Sequence, residues 1–208
     1  MGGFLITHAD AHERSLYIIW RLLFLYKEKG GHRMDYAVTL EFDKETEKTI
    51  QNLIDEVAEK TGCDYMKQIN IPPHVTVCAL VSDKEEALLT EMENIVKIIK
   101  KDVIWFANIG VFNPLVIYLG PVLNQYLQNT CSLVNERLLK YADVGNRGQY
   151  LPNQWVPHAA IAVKLTPPAL QEAFAIVQEK FTAFEATVEK IVLAKVNPYE
   201  ELYSWKLK

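Results

Sequence analysis

The sequence predicts an α+β protein with two similar lobes and mainly antiparallel sheets that line a central cleft. Half of the 208 residues are hydrophobic and 23% are charged, which is typical of a globular domain. Strand-like and helix-like segments follow one another, but regular single helices do not separate all the strands, as they would in a doubly wound sheet. Two apolar strands open with Pro-His at positions 74 and 158, a separation of about half of residues 34–208. That spacing indicates an internal duplication in which each lobe contributes one strand to a shared cleft.

Seven segments have the periodicity of strands and four have apolar residues at helical spacing. The predicted strands are 37–42, 75–81, 103–109, 115–119, 159–165, 186–196 and 202–207. The predicted helices follow Asp43, Ser82, Pro121 and Thr166 and extend to about residues 61, 99, 140 and 181. A turn is predicted at Gly110 and Asn113-Pro114, and residues 141–153 are polar and predicted to form a loop.

Capping residues mark several helix ends. Asp43 can accept hydrogen bonds from the first turn of its helix, and Gly62 can end that helix in the left-handed conformation. Ser82 and Glu85 have the spacing of a capping box. Thr166 is followed by proline, which is favoured at the first helical position.

The first 33 residues differ from the rest. Their apolar run, residues 16–26, is interrupted by Arg21 and is shorter than the roughly 20 residues that span a bilayer. We predict a functional domain over 34–208 and a leader over 1–33, which is a non-native extension or, alternatively, a short docking helix. His8 and His12 have the spacing of one helix face, but no third ligand is nearby and no metal site is predicted.

Net charge and cysteine content limit the binding partners and the location that we expect for the protein. A net charge of −4 gives no reason to bind duplex DNA or an anionic membrane, although a local pocket can still take a small anion. Cys63, Cys78 and Cys131 are scattered and form no C-x-x-C pair, which favours a reducing, cytoplasmic location. Cys78 is expected to fill the core, and the oligomeric state stays open.

The two histidines of the body provide the main functional signal. His74 and His158 each follow a proline and open an apolar strand. Because side chains alternate along a strand, His74 and Thr76 lie on one face, about 6.6 Å apart. Two imidazoles facing each other across a cleft can serve as general base and general acid, and the hydroxyl of Thr76 can bind a phosphate oxygen. This constellation suits attack on a phosphodiester and requires no metal.

The segment His74-Val75-Thr76-Val77 and the segment that begins with Pro157-His158 resemble the paired H-x-[T/S] motifs of the 2H phosphoesterase superfamily. That superfamily includes 2′-5′ RNA ligase-like proteins and cyclic nucleotide phosphodiesterases. The resemblance covers residues 34–208 and implies a bilobal pseudo-twofold fold with helices on the outside. It implies catalytic roles for His74 and His158, with Thr76 binding substrate. The implied substrate is a nucleotide or RNA end with a 2′,3′-cyclic phosphate or a 2′-5′ linkage, and no cofactor or metal is implied.

The second motif departs from the family pattern, because Ala160 stands where the family has Thr or Ser. Loss of one hydroxyl that binds a charged oxygen costs about 1.5–3 kcal/mol. An alternative function is therefore a nucleotide- or RNA-binding module that turns over weakly or not at all. A third possibility is a protein that binds a partner through its leader. Lys164 and Arg147 are further candidates near the second motif for a contact with a phosphate. Trp155, also near that motif, is a candidate for stacking on a base.

Overall fold

The structure, a computed structural model, describes residues 33–112 and 115–208. The leader apart from Arg33, the His8/His12 pair and the predicted turn residues Asn113-Pro114 lie outside the described residues. Arg33 donates to the Val81 carbonyl at 2.9 Å and pairs with Asp143 at 2.6 Å. The domain boundary between residues 33 and 34 stays a prediction.

Eight strands and five α-helices make up the described part of the chain. The strands are β1 (Met34–Phe42), β2 (His74–Ser82), β3 (Asp102–Phe112), β4 (Val116–Pro121), β5 (Asp143–Val144), β6 (Ala159–Ala162), β7 (Phe184–Val196) and β8 (Tyr199–Lys206). The helices are α1 (Lys44–Thr61), α2 (Tyr65–Ile69), α3 (Glu85–Ile95), α4 (Gln125–Leu138) and α5 (Pro167–Lys180). No α-helix in these residues is long and apolar enough to cross a membrane.

The strands form one antiparallel sheet with the internal symmetry of a duplication. The sheet order is β5-β2-β1-β7-β3-β4-β6, and β8 extends the sheet from β7. The two halves of the chain run β1-α1-β2-α3-β3 and β4-α4-β6-α5-β7, with α2, β5 and β8 added. Exchanging β1 with β4, β2 with β6 and β3 with β7 reverses the order β2-β1-β7-β3-β4-β6 onto itself. A pseudo-twofold axis therefore passes between β3 and β7, as the duplication predicts.

Helix packing follows the same symmetry. Helix α1 packs against α5 and β6, and its equivalent α4 packs against α3 and β2. Each motif-bearing strand is therefore backed by a helix from the other half of the chain. The α+β class with antiparallel strands is confirmed, with one continuous sheet in place of separate sheets.

Most predicted capping residues act as expected. Asp43 Oδ1 accepts from the amides of Glu45 and Thr46 at 2.9 and 3.0 Å, and Gly62 ends α1 at φ 71°. Thr166 accepts from the Ala169 amide and begins α5. The capping box at Ser82 is wrong: Ser82 Oγ accepts from the Lys84 amide and donates to the Tyr141 carbonyl, so it ties two loops together before α3 begins.

Several other boundaries differ from the predictions. Gly110 is inside β3 and not in a turn. Glycine is needed there because the ring of Tyr118 lies against it and leaves no room for a Cβ. Strand β6 ends at Ala162, and Lys164 beyond it has φ 59°, which breaks the extended conformation. The predicted loop over 141–153 contains the short strand β5 and a 3₁₀ turn at Asn146–Gly148.

Candidate active site

The two motif strands alternate between core and surface. On β2, Val75 and Val77 are fully buried, whereas His74 and Thr76 are half-buried. Ala159, the first residue of β6, is fully buried, whereas His158 before it and Ala160 after it are half-buried. Burial of the intervening residues anchors each strand, so the motif side chains are directed away from the core.

The structure brings the two motif strands together. β2 and β6 are near opposite ends of the sheet order, yet they contact each other, so the sheet bends until its ends meet. The charge of His74 acts on His158, where it contributes to lowering the pKa. We refer to the surface formed by His74, Thr76, His158 and Ala160 as the histidine groove.

Both imidazoles are held in the same way. Nδ1 of His74 lies 2.8 Å from the carbonyl oxygen of Pro72, and Nδ1 of His158 lies 2.8 Å from that of Val156. A carbonyl can only accept, so Nδ1 carries the proton and donates it in each ring. Within residues 33–112 and 115–208, neither Nε2 has a hydrogen-bond partner. Each ring therefore keeps one nitrogen for a substrate.

Burial lowers the pKa of both imidazoles. Desolvation lowers the pKa of His74 below its ordinary value, against an opposing contribution from the hydrogen bond to Pro72. Desolvation lowers the pKa of His158 as well, and the charge of His74 adds to this effect. The neutral form with a basic Nε2 is therefore favoured at neutral pH, as a general base requires.

Three aromatic side chains surround His158. The Phe112 ring meets it edge-on at 4.8 Å between centroids, and the Tyr118 ring lies at 5.5 Å. The Tyr150 ring lies nearly parallel to the imidazole, with 28° between planes and 6.2 Å between centroids. Phe112 and Tyr118 also stack on each other at 4.3 Å. These contacts fix the orientation of His158 and desolvate it.

Tyr150 connects the two motifs. Its ring lies beside His158, and its hydroxyl is within hydrogen-bonding reach of the Thr76 and Asn146 side chains. Its carbonyl accepts a 3.1 Å hydrogen bond from Nδ2 of Asn135 on α4, and the same nitrogen donates to the Val77 carbonyl at 3.0 Å. One buried amide thus fixes the position of Tyr150 relative to β2.

The first motif also has a buried carboxylate next to it. Glu41 on β1 is paired in register with His74 and is 3% exposed. Its Oε2 accepts from Lys190 Nζ on β7 at 3.2 Å. Desolvation raises the pKa of Glu41, and Lys190 opposes this rise.

The second motif differs from the first at the hydroxyl position. In the first lobe, Thr76 is paired in register with Thr39; in the second lobe, Ala160 is paired with Tyr118. The Tyr118 ring itself lies against Gly110 on β3. The second lobe therefore lacks a hydroxyl at the position equivalent to Thr76.

Among the weaker candidates, Arg147 lies three residues before Tyr150. It is exposed on the 3₁₀ turn beside Tyr150, with φ 54°. Lys164 is directed elsewhere, with its Nζ 3.4 Å from the centroid of the Tyr65 ring. Trp155 is only 8% exposed and packs in the core, which excludes it as a stacking surface. Cys78 is fully buried, as predicted.

Sequence reasoning missed Glu41 and the aromatic residues around His158. Tyr150 and Phe112 lie in or next to loops, where periodicity gives no information about direction. Glu41 reads as the polar side of a half-buried strand, and its burial depends on β7, which follows about 150 positions later. Within the described ranges, no three His, Cys, Asp or Glu side chains cluster closely enough to hold a metal ion.

The fold and the paired histidines define a class of protein. Residues 44–199 match the model of the 2′-5′ RNA ligase superfamily. This match covers well over half of the chain and includes both motifs, so the chain belongs to the 2′-5′ RNA ligase superfamily. The predicted resemblance to 2H phosphoesterases is thereby confirmed.

Solved structures give more distant matches. Escherichia coli LigT in its apo form is 12% identical, with 86% of this chain and 99% of LigT covered and a TM-score of 0.48. LigT complexed with phosphate has a TM-score of 0.47 over the same shares and at the same identity. Kluyveromyces marxianus Usb1 is 13% identical, with 81% and 97% covered and a TM-score of 0.44. Comparison with curated proteins gives no match.

Proposed function

We propose that the protein is a metal-independent phosphoesterase that acts on a nucleotide or RNA-end phosphodiester, either a 2′,3′-cyclic phosphate or a 2′-5′ linkage. The observation that carries this proposal is the equivalence of the two imidazoles. His74 and His158 lie on contacting strands, donate from Nδ1 to a carbonyl two residues earlier, and keep Nε2 without a partner in the described part of the chain. Membership of the superfamily supports a phosphodiester as the substrate class.

The reaction on a 2′,3′-cyclic phosphate uses the Nε2 atoms of both histidines. One Nε2 takes a proton from a water molecule as the water oxygen forms a bond to phosphorus. The bond from phosphorus to one ribose oxygen breaks, and the other imidazolium gives its Nε2 proton to that oxygen. Thr76 donates to a non-bridging oxygen, whose negative charge strengthens the hydrogen bond. The orientation of the substrate decides which histidine is the base.

The test is turnover by the full chain of 2′,3′-cyclic mononucleotides and a 2′-5′-linked dinucleotide in the presence of EDTA. We expect turnover that falls by about 10²–10⁴-fold in His74→Asn and in His158→Asn. Asparagine keeps a donor for the carbonyl that Nδ1 now contacts but has no counterpart of Nε2. Full activity in either variant, or loss of turnover on adding EDTA, would contradict the proposal.

Ala160 favours a second candidate, a nucleotide- or RNA-binding module with little or no turnover. Its half-buried position offers no hydroxyl to a phosphate held between the histidines. In that case the same ligands bind with an affinity that depends on His74 and His158, while no product forms. Equilibrium binding measured beside the turnover assay separates the two functions.

A further inference from the structure

The second lobe lacks one hydroxyl, and the structure places another hydroxyl beside the first motif. Tyr150 is outside both motif strands, on the loop between β5 and β6. Its hydroxyl is within hydrogen-bonding reach of Thr76, and its ring lies beside His158. A single side chain of this loop thus interacts with both Thr76 and His158.

We propose that the Tyr150 hydroxyl donates a hydrogen bond to the substrate phosphate and thereby supplies the donor that Ala160 cannot provide. This inference rests on the proposed function, because it assumes a phosphate held between the two imidazoles. It makes Tyr150 a substrate-binding residue at the groove and explains how the second motif can lose its hydroxyl.

Hydrogen-bond counting supports this role. A phenol donates one hydrogen and can accept two. Burial raises the pKa of Tyr150, and its interactions with the Thr76 and Asn146 side chains oppose that rise. Both side chains are able to donate to the phenolic oxygen, an arrangement that leaves the phenolic hydrogen for a third partner. Asn146 can hold the phenolic oxygen alone when the Thr76 hydroxyl rotates towards the phosphate, which gives two hydroxyl donors.

The surroundings keep Tyr150 in place. Its carbonyl is bound by Asn135 at 3.1 Å and lies 3.6 Å from Cys131 Sγ, both on α4. The preceding 3₁₀ turn has left-handed backbone at Asn146 and Arg147, with φ of 42° and 54°. Such conformations cost free energy in residues other than glycine and are concentrated at functional sites. The contacts from α4 therefore hold the backbone of Tyr150 next to the groove.

The experiment is a double-mutant cycle between Tyr150→Phe and Ala160→Thr, measured as kcat/KM and as the affinity for inorganic phosphate. We expect Tyr150→Phe alone to lower both by about 10- to 100-fold, the usual loss for a hydrogen bond to a charged oxygen. In the Ala160→Thr background, the loss of the phenol should cost less than about threefold, because the Ala160→Thr substitution returns the missing hydroxyl.

A matched control removes a phenolic hydroxyl elsewhere. The Tyr126 hydroxyl is buried without a hydrogen-bond partner in the described structure, so Tyr126→Phe should leave kcat/KM and phosphate affinity unchanged. Equal losses from Tyr150→Phe in both backgrounds would indicate a structural role and overturn the inference, as would no loss in either background. Thermal melting of each variant shows whether the fold is kept.

Phosphate binding also separates this inference from the proposed function. It is followed by the NMR shifts of the two imidazole C2 protons and does not require turnover. If the protein turns over no substrate but Tyr150→Phe weakens phosphate binding and Ala160→Thr restores it, the proposed function fails and the inference stands. If turnover occurs and Tyr150→Phe leaves the phosphate affinity unchanged, the inference fails and the proposed function stands.

Discussion

Glu41 lies directly opposite His74 in the β1–β2 ladder, and on its other side it is bound to Lys190 of β7. Directly opposed residues of an antiparallel pair point to the same face with Cβ atoms about 4.5–5.5 Å apart. A buried carboxylate therefore lies beside the first candidate catalytic imidazole, and a lysine neutralises it. Lys190 thus offsets the cost of burying the Glu41 carboxylate.

Lys190→Met should destabilise the protein by about 1–3 kcal/mol at neutral pH, because it leaves the buried Glu41 charge without its half-exposed partner. Desolvation already raises the pKa of Glu41, and removing Lys190 should raise it further. A carboxyl whose pKa is raised on folding stabilises the fold at low pH and loses that contribution as the pH rises. Urea unfolding should therefore show a smaller loss at pH 5 than at pH 7.5.

The control for this variant is Lys206→Met, which removes an exposed lysine 3.5 Å from Glu189 on the neighbouring strand. Its effect on the free energy of unfolding should stay within about 1 kcal/mol, as for exposed ion pairs. The double variant Glu41→Gln/Lys190→Met should recover most of the stability. An unchanged free energy of unfolding in Lys190→Met would contradict the prediction, because it would show that the Glu41 carboxylate does not need its partner.

The pH dependence of activity should reflect the lowered pKa values of both histidines. One must be neutral and the other protonated, and desolvation moves both below the ordinary value of about 6.5. The profile of kcat/KM should therefore be bell-shaped with its maximum below pH 6.5. Bound phosphate favours the imidazolium, so the alkaline limb of kcat should lie at higher pH than that of kcat/KM. A kcat/KM optimum above pH 7 would contradict the assignment.

Thr76→Val should lower kcat/KM by about 10- to 100-fold, because it removes a donor to a charged phosphate oxygen while keeping the shape of the side chain. It also removes one of the two groups that interact with the Tyr150 hydroxyl. Thr39→Val is the matched control, since Thr39 is the in-register partner of Thr76 on β1. Steady-state kinetics on both variants should show a loss in Thr76→Val alone.

Asn135→Ala should destabilise the protein by about 2 kcal/mol or more, because it leaves buried carbonyl groups without donors. The two hydrogens on Nδ2 of Asn135 are shared among the carbonyls of Val77, Cys131 and Tyr150, and its Oδ1 accepts from Cys78 at 3.2 Å. Asn129→Ala on the exposed face of α4 should have little effect. Chemical denaturation of both variants provides the measurement, and equal stabilities would show that the buried network contributes nothing.

Local patterns predicted the elements well where the signal lies within a few residues. Asp43 and Gly62 bound α1 as expected, because capping depends on the backbone of the adjacent turn. The capping box at Ser82 failed because the serine oxygen accepts from the Lys84 amide before the helix begins, while its hydroxyl donates to the distant Tyr141 carbonyl. Gly110 failed as a turn for a similar reason, since the need for glycine comes from the Tyr118 ring on the next strand.

The sequence by itself determined the repeated Pro-His strands, the alternation that directs His74 and Thr76 to one face, and the missing hydroxyl at Ala160. These features follow from the two-residue period of a strand, which needs no knowledge of other elements. The tertiary structure alone decided that β2 meets β6, that Lys190 neutralises Glu41, and that Tyr150 reaches both motifs. Those contacts join residues far apart in the chain, and the bending of the sheet and the packing of α4 fix them.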